Sequence, residues 1–67
     1  MLKIGTKHSP AQENMLDFNG NKIEYIEILG KDEDIKGNFK VLVYPATGFC
    51  SVDSLSESDI KNNFKKV

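Results

Sequence analysis

The sequence predicts a mainly β fold, and three observations carry that reading. Residues 39–53 place Val-, Leu-, Phe- and Tyr-rich segments on either side of Pro45-Ala46-Thr47-Gly48. This is a hairpin signal, because Pro presets φ and Gly supplies the positive φ that a short connection needs. Asn19-Gly20 stands between a second pair of apolar runs, and Asn-Gly is the preferred pair for a type I′ hairpin turn. Leu2, Ile4 and Thr6 alternate with Lys3 and Gly5, the two-residue period of a strand with one buried face.

Taken in order, residues 2–6 predict the first strand, and the polar, Pro10-containing stretch 7–14 predicts a loop. Residues 22–29 predict the next strand, entered through the Gly20 turn. Its apolar parity slips between Tyr25 and Ile26, which calls for a β-bulge or bend there. Residues 30–37 are charged and bounded by Gly30 and Gly37, a solvent-facing loop; its acids Asp32, Glu33 and Asp34 lack the twelve-residue calcium-loop pattern. Residues 38–44 and 49–53 predict the strands of the main hairpin. A short helical turn follows over 56–62, capped by Ser54 with Glu57 or by Ser56 with Asp59, and it rests Leu55, Ile60 and Phe64 on the sheet. The alternation places Ile4, Ile23, Val41, Val43, Val52 and Leu55 in the core.

Sixty-seven residues make one domain, with no linker or repeat dividing it. At that size a chain buries only roughly 60% of its unfolded surface, so a deep active-site cleft is not expected, and homodimerisation is open as a way to add to the core. There is no Trp, so Phe18, Tyr25, Phe39, Tyr44, Phe49 and Phe64 supply the bulk. The single Cys50 cannot form an internal disulfide and reads as a small buried hydrophobe in the second hairpin strand. No stretch suits a signal peptide or a membrane span, so a cytoplasmic location without membrane contact is expected. His8 has no second His or Cys at ligand spacing, and neither a metal site nor a cofactor is expected.

Nine Lys balance ten Asp or Glu to a net charge of −1, and Arg is absent. Arg is the residue that forks onto phosphate and guanine edges, so its absence argues against sequence-specific DNA reading.

A short first strand, two hairpins and one helical turn before the end of the chain together resemble an SH3-like five-stranded small barrel. A second likeness runs through Leu2-Lys3-Ile4-Gly5-Thr6-Lys7-His8, Val41-Leu42-Val43, Thr47-Gly48-Phe49 and Ile60-Lys61-Asn62. These motifs resemble a group of small tailed-phage proteins that open on Lys-Ile-Gly-Thr-Lys and carry a Thr-Gly-aromatic turn. The resemblance implies a phage accessory protein in the host cytoplasm and, because such modules lie beside homing-endonuclease segments, a nucleic-acid link. Ser56-Glu57-Ser58-Asp59 and the acids at 32–34 depart from that group by removing positive potential.

Two functional classes remain. A non-enzymatic interaction module would bind a host or phage protein through an exposed strand edge and through Tyr25, Tyr44 and Phe49, whose ordinary role would be core packing. A nucleic-acid-binding barrel would instead use Lys3, Lys7, Lys61, Lys65 and Lys66, converging if the two ends of the chain meet. No nucleophile, base and orienting group form a recognised motif. The pair Asp53 and Asp59 lacks the enclosing walls that would shift its pKa values, so no enzyme is expected.

Overall fold

Ile, Val, Phe and Tyr crowd the middle of the sequence, and that is where the longest strands form. The computed structural model describes residues 2–67: strands β1 (Lys7–Pro10), β2 (Ile23–Lys31), β3 (Asn38–Pro45) and β4 (Ser51–Ser56), helix α1 (Glu57–Asn63) and strand β5 (Phe64–Lys66). They form one five-stranded sheet in the order β4-β3-β2-β1-β5. Every ladder is antiparallel. The mainly β reading with a short helix late in the chain therefore holds. Among the described residues β4 and β5 do not pair, so the ladder stays open and β4 keeps one free edge.

Alternation along β3 buries Phe39, Val41 and Val43 and turns Lys40, Leu42 and Tyr44 to the other face. Ile23, Ile26 and Ile28 of β2 join them on the concave side, and Ile60 of α1 and Phe64 of β5 close over it. Leu2, Met15 and Leu55 pack on the margin of this cluster. Each fully buried Ile contributes about 1.5–3 kcal/mol of transfer free energy. Helix α1 starts where the Ser56 hydroxyl accepts from the Asp59 N–H at 3.0 Å, with Glu57 and Asp59 in its first turn.

The structure corrects the sequence reading at its first strand. Gly5 sits at φ +86°, so the alternating run 2–6 breaks into a turn in which the Thr6 N–H donates to the Lys3 carbonyl. Ile4 is consequently 74% exposed instead of buried. The stretch expected as a loop supplies β1 in its place: His8 pairs with Ile26 on one side and Lys66 on the other, and is 6% exposed. Pro10 ends β1 opposite Phe64, a terminal strand position that tolerates a residue without an N–H.

At Asn19-Gly20 only Gly20 has positive φ, at +83°, whereas a type I′ turn requires positive φ at both central residues. The turn is held instead by Gly20 N–H donating to the Asp17 carbonyl, and by the Asp17 Oδ1 accepting from the N–H groups of Asn19 and Asn21. The β2 bulge lies between Ile23 and Tyr25, one residue earlier than expected, and a second lies between Ile28 and Gly30. The first lets Ile23 and Ile26, three apart, face the core together while Tyr25 turns out.

Pro45 closes β3 against Ile23 instead of opening the turn, so residues 46–50 form a five-residue connection. Phe49 and Cys50 fall in that connection and are exposed, so neither packs in the core. Val52 pairs with Leu42 on the outer face and is 61% exposed, again unlike the expectation. In the acidic loop Asp32 is buried, where its carboxylate accepts from the Asp34 and Ile35 N–H groups and the Ser54 hydroxyl. Glu33 and Asp34 face solvent. No helix is long and apolar enough to cross a membrane among the described residues.

Candidate functional site

The bulge in β2 decides what the outer face of the sheet presents. With Tyr25 turned outward, its ring stacks on Tyr44 of β3 at 4.2 Å between centroids. The Tyr44 hydroxyl donates to Glu27 at 3.1 Å. Partial desolvation and the adjoining Glu27 carboxylate push its pKa above the ordinary value, so the phenol keeps its proton and remains a donor. The Lys7 Nζ lies 5.0 Å from the Tyr25 ring centroid, within cation–π range. Tyr25 and Tyr44 are thus brought together, half-buried, as one platform. Phe49 stands apart from the stack on the β3–β4 connection and is 94% exposed.

The concave face offers a second feature that the sequence did not disclose. Between the 15–19 turn, β4 and α1 opens a groove of about 690 Å³. Its floor is the buried core itself, where Ile23, Ile26, Val43 and Phe64 lie, with the half-buried Met15 and Leu55 at its margin. Leu16 and Phe18 line it and are largely exposed, Phe18 at 95%, and Val52 borders it at the edge strand with its side chain on the outer side. Solvent-facing apolar side chains gathered in one concavity mark a contact surface more strongly than the same residues scattered singly. The groove runs beside the free edge of β4, so apolar surface and unpaired strand backbone are presented together.

Three carboxylates, Asp17, Asp53 and Asp59, line this groove, and no Lys or His does so among the described residues. Asp53 lies opposite Val41 in the β3–β4 ladder, on the concave side, and also accepts from the Ser54 N–H. The second oxygen of Asp17, Oδ2, is buried without a hydrogen-bond partner among the described residues. Local sequence reading misses this convergence because the three acids come from a turn, a strand and a helix.

The lysines divide. Lys65 and Lys66 lie on β5 opposite Ser9 and His8, so β1 and β5 do bring the two ends of the chain side by side, with Lys7 on the neighbouring strand. Lys61 is engaged by Glu57 at 3.4 Å, and Lys3 lies in the turn before β1. The described residues hold no cluster of three or more His, Cys, Asp or Glu placed to ligate a metal. No family model, curated protein or solved structure matches this chain.

Proposed function

We propose that this chain is a non-enzymatic interaction module that docks an extended segment of a partner protein along β4. The observation that carries the reading is the apolar groove opening beside a free strand edge. Strand addition gains affinity from main-chain hydrogen bonds at such an edge and specificity from side chains seated in the adjoining concavity. Tyr44, on the outer face at the end of β3, and the exposed Phe49 in the β3–β4 connection extend the contact at the entry to β4. The strand order suits an SH3-like barrel left open at β4, and the motif resemblance to tailed-phage proteins puts host or phage proteins first among the candidate partners, in a host cytoplasm.

The nucleic-acid reading has one observation in its favour, the approach of Lys7 and Lys65 on one face of β1 and β5, Lys66 lying on the face of His8. Opposing it, Lys7 is occupied over Tyr25 and Lys61 by Glu57. Affinity capture from host lysate, with and without nuclease, separates the two. Retention of a defined protein after nuclease, lost on Val52→Lys, supports the module. Loss of all captured material with nuclease, together with loss on the paired change Lys65→Ala and Lys66→Ala, replaces it with nucleic-acid binding. The latter affinity would also fall steeply as salt rises.

A further inference from the structure

Building on the module reading, we infer that the groove beside β4 takes a cationic extended peptide, with Lys or Arg alternating with aliphatic residues. Charge complementarity selects this occupant: three carboxylates, Asp17, Asp53 and Asp59, line the concavity with no cation among the described residues to offset them. The apolar floor independently requires aliphatic side chains.

The register of β4 sets the pattern. Ser51, Asp53 and Leu55 pair with Val43, Val41 and Phe39, so all three lie on the concave side of the edge strand. A strand added along β4 points every second residue to that side. The partner residue beside Asp53 therefore meets a carboxylate, while that beside Leu55 meets apolar surface. A cation there pairs with Asp53, and a second inward position faces the stretch of the groove that Asp59 lines.

A second copy of this chain is the poorer occupant. Pairing β4 with β4 about a two-fold axis would bring the carboxylates of two grooves together, and like charges at close quarters oppose association. An inward-facing acid on an edge strand is also a known guard against indiscriminate strand pairing. Asp53 thus disfavours acidic strands and favours basic ones.

The test is selection of a randomised ten-residue peptide library on the intact chain, followed by fluorescence-anisotropy titration of the enriched peptides and amide chemical-shift mapping. Enriched sequences should alternate Lys or Arg with aliphatic residues and shift amides of β4, α1 and the 15–19 turn. Asp53→Asn and Asp59→Asn should each weaken such a peptide by about tenfold, whereas Glu33→Gln in the β2–β3 loop, outside the groove lining, should leave it within about twofold. Asn preserves side-chain size, and the shift spectrum of each variant establishes its fold before titration. Neutral or acidic peptides that still map to β4, or aspartate variants that bind as tightly as the parent, overturn the cationic assignment and leave the module reading standing. Failure to enrich any peptide at the groove, with oligonucleotide binding in its place, overturns both. A dimer that covers β4 in sedimentation velocity overturns it in favour of a second copy.

Discussion

Tyr25 and Tyr44 stack across the β2–β3 ladder with an interplanar angle of 23°, although the hydrophobic parity of β2 would by itself leave Tyr25 in doubt between the two faces. The bulge between Ile23 and Tyr25 resolves it. The stack couples two strands on the face away from the core. A double-mutant cycle through Tyr25→Ala and Tyr44→Ala should return a favourable coupling of about 0.5–1.5 kcal/mol in urea unfolding. Strict additivity would show that the rings do not interact in solution.

Val41 and Val52 test the assignment of faces. Val41 is fully buried beneath the sheet, so Val41→Ala should cost about 1–3 kcal/mol. Val52→Ala, on the outer side of the edge strand, should stay within about 0.5 kcal/mol. Equal losses at the two positions would contradict the β3–β4 register.

Much of this was legible in the sequence, and the failures share a cause. The main hairpin strands, the core positions Ile23, Val41 and Val43, and the seating of Ile60 and Phe64 follow from alternation and capping, which are local. Ile4 failed because alternation says nothing of the positive φ at Gly5, and His8 failed because a lone polar residue gives no hint that two neighbouring strands will bury it. The groove escaped notice for the same reason, since Asp17, Asp53 and Asp59 meet only through tertiary structure.

Ser54 and Ser56 were alternative caps by sequence, and the structure gives them separate tasks. Ser56 caps α1, whereas Ser54 accepts from the Asn38 side-chain amide and donates to Asp32. Ser56→Ala should destabilise the fold by about 1 kcal/mol and speed amide exchange in α1 first. Ser54→Ala should leave α1 exchange unchanged and loosen the 32–38 loop instead.

His8 makes stability depend on pH near neutrality. The Thr6 hydroxyl donates to the Lys3 carbonyl, so its contact with His8 Nε2, at 3.1 Å, is one in which the ring donates. Burial, aided by the Lys66 charge, holds the His8 pKa below its ordinary value of 6.5. Between the lowered and the ordinary value the unfolded chain binds more protons, so stability should fall as pH drops through 6.5 and level off below the folded value. In His8→Gln that step in the urea midpoint should vanish. Asp32 acts in a separate, more acidic window. Ser54 and two backbone N–H groups lower its pKa, so its contribution is complete above the ordinary carboxylate value and is lost as pH falls through the lowered one.

The pairing of β1 with β5 divides the sheet into parts of unequal cooperativity. Strands β2, β3 and β4 follow one another and assemble through short connections, but residues 7–10 reach residues 64–66 only by closing a loop that encircles all three. Loop-closure entropy places that flange late in assembly and makes it the first part to detach. A fluctuation that lifts β5 also withdraws Phe64 from the groove floor and removes one of the strands that shelter His8. Occupancy of the groove and protection of the flange against hydrogen exchange should therefore rise together, binding at one border of the sheet being felt as rigidity at the other.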